Sequence, residues 1–174
     1  VNLMAERTLR GKLDGVIVNS GCANAYTGKR GFEDAKTMAQ IGAEALGIDE
    51  MNCGVASTGV IGRYLDLDLI RRQTAAVAPN LAHSSAAEDA AARAIMTTDT
   101  VPKHALVRAD GFTVAGICKG SGMIAPNMGT MLSFVYTDAD VPADTLRECL
   151  RTAVNRSLNR VVVDGDESTN DSLF

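Results

Sequence analysis

The chain has 174 residues, of which 46% are hydrophobic and 22% are charged, and this composition is typical of a globular protein whose core needs no disulfide or metal ion. Its 17 lysines and arginines face 21 aspartates and glutamates, giving a formal net charge of −4 without a basic block, so a nucleic-acid-binding protein is not expected. No apolar run approaches the roughly 20 residues of a membrane helix, and the first residues lack the apolar core of a signal peptide, which predicts a cytoplasmic protein without a membrane partner.

The N-terminal half alternates short apolar runs with helical patterns. The run at 15–18 is rich in β-branched residues and leads into a small polar loop at 19–28, as a buried strand would. Apolar residues then recur at helical spacing from Phe32 to Gly47, a residue type that often ends helices. In chain order we predict a strand at 15–18, a helix from Phe32 to Gly47, a strand at 53–56, a helix from Asp66 or Asp68 to Val77, and a helix at 85–95.

The hydrophobic period changes to two after Pro102. Apolar runs at 105–108 and 112–118 flank Asp110-Gly111, a dipeptide typical of tight hairpin turns. This mixture of helices and hairpins predicts an α+β protein rather than a purely parallel sheet. The elements after the hairpin are, in order, a glycine-containing loop at 119–129, an apolar strand opening at Thr130, a helix capped by Asp144, and a last strand at 161–163.

The sequence contains no metal-binding motif, and the common catalytic motifs GxSxG, HExxH, GxxxxGK[ST] and GxGxxG are absent. His83 and His104 have no ligand partner at motif spacing, and a solvated or capping role is expected for each. Any nucleophile must therefore be activated without a histidine base. The four cysteines form no CxxC pair, and we expect buried free thiols at Cys22, Cys53, Cys118 and Cys149.

Thr130 stands where a glycine-containing loop meets an apolar strand, directly after Gly129. If the Gly129-Thr130 peptide were cut, the new α-amine of Thr130 would lie beside its own hydroxyl and could act as its base. The pKa of an α-amine is about 7.7–8.0, close to working pH, whereas an amide nitrogen accepts no proton there. On residue chemistry alone, a Gly-Thr pair at a strand start is usually a turn.

Five segments of the chain share their sequences with one known family. They are VNSGCANAYTG (18–28), ASTGVIG (56–62), AIMTTDT (94–100), KGSGMIAPNMGTML (119–132) and DGDESTND (164–171). In order and composition they resemble the segments of the ornithine acetyltransferase family, also called glutamate N-acetyltransferase, over nearly the whole chain. The resemblance implies a layered α/β sandwich of the type shared by ornithine acetyltransferases and β-peptide aminopeptidases.

The resemblance also implies self-cleavage between Gly129 and Thr130. Residues 1–129 would then be the C-terminal part of an α chain and residues 130–174 the N-terminal part of a β chain, within one structural domain and an α2β2 heterotetramer. It implies a ping-pong reaction of arginine biosynthesis in which Thr130 takes acetyl from N-acetylornithine and passes it to glutamate. No cofactor is implied, and whether acetyl-CoA is also a donor stays open.

Four other residues match positions that act in the family. Thr58 and Gly59 match the pair that forms the oxyanion hole, a role that fixed hydrogen-bond donors can fill. Thr97 and Lys119 match residues that bind substrate together with the nucleophile, and an ammonium can pair with the α-carboxylate of an amino acid. Taken singly, Thr58-Gly59 would be a turn at a strand end, Thr97 a cap or turn residue, and Lys119 a solvated lysine.

The chain departs from the family pattern at three positions. Gly129 stands where alanine is common, Cys22 where asparagine is usual, and Glu167 where threonine is usual. The segment 164–171 lies near the active site in the family and is expected to support it; it lacks the ligand spacing of a calcium loop. Because the family's members are longer, we expect this chain to be a middle part of a larger enzyme.

Two other functions are compatible with the sequence. A related self-processing amidase or aminopeptidase would use water as the acceptor and release acetate. A non-catalytic protein could use the glycine-rich loop at 119–129 as an anion or nucleotide cradle, and its binding would survive Thr130→Ala.

Overall fold

The computed structural model of the protein describes residues 1–125 and 131–174. These residues divide into an N-terminal unit, Val1–Ala87, and a C-terminal unit, Glu88–Phe174. Each unit contains its own sheet. The predicted Gly129-Thr130 junction lies outside the described residues, so the division at 129/130 stays a prediction.

The N-terminal unit packs helices against a two-stranded parallel sheet. Its elements are α1 (Asn2–Arg7), β1 (Gly15–Cys22), α2 (Gly28–Leu46), β2 (Cys53–Val60) and α3 (Leu67–Val77). Strands β1 and β2 pair in register from Gly15↔Cys53 to Cys22↔Val60. Helix α2 buries Met38 and Ala39 completely, and a Cβ at Gly42 would lie 2.9 Å from Cys53 Sγ. Small residues therefore let this helix approach the sheet closely.

A buried arginine fixes the start of β2. Arg7, at the end of α1, is 1% exposed and donates hydrogen bonds to the carbonyls of Glu50 and Cys53 at 2.6 and 2.5 Å. Its guanidinium also pairs with the Glu50 carboxylate at 2.8 Å. These bonds pair both terminal nitrogens of the buried guanidinium, so Arg7 ties α1 to the strand that leads to Thr58.

The C-terminal unit is built on a four-stranded mixed sheet with the strand order β3-β4-β5-β6. Its elements are α4 (Ser85–Ala94), which begins at the boundary of the two units, β3 (Lys103–Ala109), β4 (Phe112–Lys119), β5 (Leu132–Thr137), α5 (Ala143–Arg156) and β6 (Ser172–Leu173). The first two pairings are antiparallel, and β5 pairs with β6 in parallel. The sheet thus joins β4, before the predicted junction, directly to β5, after it.

Most predicted elements are confirmed, two differ, and one helix was not predicted. Helix α2 ends at Gly47 in the left-handed conformation, and Asp66 caps α3 through the N–H of Leu69. The last strand is Ser172–Leu173 rather than 161–163, because the three valines there are exposed and Val163 donates its N–H to the loop carbonyl of Ile124. Helix α5 starts after Pro142 without a side-chain cap, and α1 was not predicted.

The cysteines follow the prediction only in part. All four are free thiols, but Cys149 is exposed and only Cys53 is fully buried.

No helix within residues 1–125 and 131–174 is long and apolar enough to cross a membrane.

Candidate active site

Thr58 and Gly59 lie at the carboxyl end of β2, in the N-terminal unit. Thr58 is 2% exposed, and Gly59 has a φ of +126°, a conformation that only glycine adopts readily. Gly59 pairs with Gly21 of β1, and a Cβ added to it would lie 2.6 Å from Gly21 Cα. The backbones of the two strands therefore approach so closely here that no side chain fits at position 59.

Asp99 organises the loop that contains Thr97, in the C-terminal unit. Its buried carboxylate accepts hydrogen bonds from Lys103 Nζ at 2.5 Å and from the Gly120 N–H at 2.7 Å, and a long one from the Thr97 N–H at 3.4 Å. A second contact between the same loops joins Thr98 Oγ1 to Ser121 Oγ at 2.6 Å. The predicted substrate residues Thr97 and Lys119 are thus brought together through Asp99 and Gly120.

The charge of Asp99 is held by its partners. Burial by itself raises the pKa of this carboxyl, but the hydrogen bonds from Lys103 and Gly120 outweigh burial and hold the pKa below its usual range. Sequence analysis did not identify Asp99 as a site residue. The only signal was its place inside the AIMTTDT segment, because the contact with Gly120 joins residues 21 positions apart.

Replacing Asp99 with asparagine is expected to destabilise the protein by about 1–3 kcal/mol at neutral pH, because charge-assisted hydrogen bonds are lost. Since the pKa of Asp99 is lower in the folded state, its stabilisation exists above the unfolded pKa of about 3.9 and is lost as pH falls through the folded value. Urea unfolding at neutral and acidic pH measures both effects. The difference between variant and wild type should shrink in acid.

Asp144→Asn is the matched control for this measurement. Its carboxylate pairs with Arg147 at 2.8 Å but is 95% exposed, so its loss should change stability by less than about 1 kcal/mol. Equal effects of the two variants would contradict the structural role of Asp99.

Lys119 is a buried cation at the end of β4. It is 2% exposed and pairs in register with Leu132 of β5. Burial lowers the pKa of its ammonium, while the charges of Asp99 and Asp171 act in the opposite direction. Within the described residues Lys119 forms no ion pair. A buried ammonium that forms no ion pair is costly, and its positive charge suits an anionic ligand.

Two aspartates of the segment 164–171 hold the backbone on either side of residues 126–130. Asp164 accepts the N–H groups of Met123 and Ile124 at 2.6 and 2.9 Å. Asp171 accepts the N–H of Met131 at 2.7 Å. The expected supporting role of this segment therefore has a physical basis in these hydrogen bonds. Glu167 is exposed, and nothing in the structure explains it.

The predicted site residues fall into three groups. Thr58 and Gly59 share a strand end in the N-terminal unit, whereas Thr97 and Lys119 belong to the C-terminal unit. Gly129 and Thr130 lie outside the described residues, and their predicted roles stay predictions.

Comparison with known proteins identifies related sequences along the whole chain. A model of the ArgJ family matches residues 1–174. A glutamate N-acetyltransferase of Methanosarcina mazei is 55% identical over 164 residues, which cover 94% of this chain and 42% of that protein. The arginine biosynthesis bifunctional protein ArgJ of Symbiobacterium thermophilum is 52% identical over 178 residues, covering 100% of this chain and 44% of that protein. The chain spans less than half the length of these curated relatives.

Two solved structures resemble the fold. The crystal structure of the arginine biosynthesis bifunctional protein ArgJ from Bacillus halodurans has a TM-score of 0.63 at 44% identity, and that of ornithine acetyltransferase from Mycobacterium tuberculosis in complex with ornithine has 0.70 at 37% identity. Each match covers 75% of this chain and 69% of the other. The predicted layered α+β fold is thereby confirmed.

Proposed function

The chain belongs to the ArgJ family, and from this premise we propose that the protein containing it transfers acetyl from N-acetylornithine to glutamate. The observation that supports the proposal most directly is Lys119, a buried ammonium without an ion-pair partner among the residues described. Both substrates carry an α-carboxylate, which is the anion that such a cation would bind.

The reaction begins with self-cleavage. The Thr130 hydroxyl oxygen attacks the carbonyl carbon of Gly129, and the peptide nitrogen leaves as the amine of Thr130 with the hydroxyl proton, so that an ester joins the two residues. Water hydrolyses this ester, which leaves a carboxylate on Gly129 and a free amine and hydroxyl on Thr130. Glycine at position 129 tolerates the backbone distortion that this step requires.

Acetyl transfer then follows in two halves. The Thr130 amine takes the hydroxyl proton while the oxygen attacks the acetyl carbonyl of N-acetylornithine; ornithine leaves with that proton, and acetyl-threonine remains. The neutral amine of glutamate attacks this ester to give N-acetylglutamate; the amine loses a proton and the threonine oxygen takes one up, which regenerates the Thr130 hydroxyl. Thr58 and Gly59 stabilise the oxyanion of each tetrahedral intermediate, and loss of one such donor costs about 2.7–4 kcal/mol of activation free energy.

The processed chains would associate as an α2β2 heterotetramer, with N-acetylornithine and glutamate as the small-molecule partners. The chemistry uses the amine of Thr130 as its base and requires no cofactor.

Full-length protein supplied with glutamate and either N-acetylornithine or acetyl-CoA tests the proposal. We expect acetylglutamate and ornithine from the first pair, together with a mass break between Gly129 and Thr130. Acetylglutamate from the second pair would extend the activity to acetyl-CoA. Acetate without acetylglutamate would identify a hydrolase instead, and an intact chain that still transfers acetyl would overturn the proposed mechanism.

Replacing Lys119 with methionine is expected to raise KM for both substrates by about 10- to 150-fold, the range that corresponds to one charge-assisted hydrogen bond. Stability should stay the same or rise, because an apolar side chain of similar length removes a buried ammonium whose charged form burial disfavours. Steady-state kinetics and thermal unfolding measure the two effects.

Lys36→Met provides the control, because Lys36 lies on the surface of α2 and pairs with Glu33 at 3.0 Å. A KM that is unchanged in Lys119→Met, or raised equally in both variants, would contradict the role of Lys119.

A further inference from the structure

Asp171 carries a buried carboxylate oxygen without a partner. Its Oδ1 accepts the Met131 N–H at 2.7 Å, whereas its Oδ2 is buried and has no hydrogen-bond donor within residues 1–125 and 131–174. Buried polar atoms nearly always have a partner, and each exception requires an explanation. Asp171 therefore needs an explanation beyond the stability of the fold.

The backbone around Met131 is held on both sides by consecutive residues. Asp171 accepts its N–H, and Ser172 donates its own N–H to the Met131 carbonyl at 3.1 Å. Ser172 also pairs in parallel register with Leu132, which fixes β6 to β5. Asp171 therefore holds the backbone nitrogen of Met131, the residue that follows the proposed nucleophile in the sequence.

Burial places the titration of Asp171 near working pH. Burial raises the pKa of this carboxyl to about 6, although the Met131 N–H, the Ser168 hydroxyl and the positive charge of Lys119 each act to lower it. The pKa of Lys119 is in turn raised by the charge of Asp99 and lowered by that of Lys103. At neutral pH the carboxylate is mostly ionised and its hydrogen bond to Met131 is charge-assisted, which is about twice as strong as a neutral one.

We propose that Asp171 is a positioning residue for Thr130: the ionised carboxylate of Asp171 holds the backbone nitrogen of Met131, directly after Thr130 in the sequence, for self-cleavage and for acetyl transfer. This inference rests on the proposed function of Thr130. It assigns to the last aspartate of the DGDESTND segment a task that sequence reasoning gave only to the segment as a whole. Protonation of Asp171 weakens the hydrogen bond to Met131 and removes the negative charge near Lys119, so both reactions should slow in acid.

Self-cleavage is the sharper readout, because the uncut precursor has no α-amine at Thr130 that titrates in the same range. Full-length precursor made by cell-free synthesis is transferred to buffers from about pH 5 to about pH 8, and cleavage is followed by intact mass. For wild type we expect the cleavage rate to rise with pH in a single step near pH 6, as Asp171 ionises. Asp171→Asn should slow cleavage at least about tenfold at neutral pH and remove this ionisation.

If Asp171 had a purely structural role, Asp171→Asn would lower the melting temperature without moving the pH profile of cleavage. We expect the opposite, because asparagine still accepts the Met131 N–H and removes a buried charge, so the Tm of Asp171→Asn at neutral pH should not fall. Ser168→Ala is the second variant. The Ser168 hydroxyl lowers the pKa of Asp171, so its loss should shift the ionisation in the profile to higher pH.

Asp166→Asn is the matched control, because it makes the same change of charge at an exposed position of the same segment. It should keep the wild-type ionisation. The inference is overturned if wild type cleaves but Asp171→Asn shows the same rate and pH profile, or if Asp166→Asn loses the ionisation to the same extent. If wild-type protein neither cleaves nor transfers acetyl, the proposed function itself fails.

Discussion

Replacing Thr130 with alanine is expected to abolish both self-cleavage and acetyl transfer in the full-length protein. Alanine has no oxygen to attack the Gly129 carbonyl, so the chain stays intact and no α-amine is released. Loss of a nucleophile lowers kcat by about 10⁶-fold in a well-studied hydrolase, and a comparable loss here would leave no measurable transfer. Intact mass and the production of acetylglutamate measure the two effects.

Thr130→Ser provides the matched comparison, because it keeps the hydroxyl and loses only a methyl group. It should retain cleavage and transfer at a reduced rate. Acetyl transfer by intact Thr130→Ala protein would refute the assignment of the nucleophile.

Replacing Gly59 with alanine is the second change with a large expected effect. The φ of +126° alone costs a residue with a side chain about 1–3 kcal/mol, and the new Cβ would also overlap the backbone of Gly21. The ends of β1 and β2 must then separate, which moves the proposed oxyanion donors. We expect a lower Tm together with a fall in kcat on the order of 10²–10³-fold, the loss seen when an oxyanion-hole donor is removed.

Gly21→Ala separates backbone strain from overlap. Gly21 pairs with Gly59 and has nearly the same φ, +123°, but a Cβ there meets nothing within 4 Å. Its variant should show the strain alone and thus a smaller loss of stability. Equal losses in the two variants would rule out close packing of the strands as the reason for glycine at position 59.

Elements with a strong local pattern could be predicted from the sequence. Helix α3 has its cap at Asp66, helix α2 has its terminating Gly47, and the hairpin has Asp110-Gly111; each signal lies within the element itself. Strand β6 could not be predicted in this way. It is only two residues long and forms because β5 offers an edge, whereas the β-branched valines at 161–163 have no strand to pair with and remain exposed.

The site residues show the same difference between local sequence signals and contacts that form only in the fold. Residue chemistry alone makes Lys119 a solvated lysine, yet the structure buries it, and only the resemblance of its segment to a known family indicated a role. Asp99 and Asp171 act through hydrogen bonds to Gly120 and Met131, which are distant in sequence. Such contacts depend on the folded sheet, so no local pattern announces them.

The antiparallel pairing of β4 with β5 would decide whether the two products stay together after the proposed cleavage between Gly129 and Thr130. Strand β4 would belong to one product chain and β5 to the other, and they pair from Val114↔Thr137 to Lys119↔Leu132. Asp164 in the second chain also holds the backbone of Met123 and Ile124 in the first. The proposed break would thus be spanned by a hydrogen-bonded sheet, and the two fragments should copurify as one particle and separate only in denaturant.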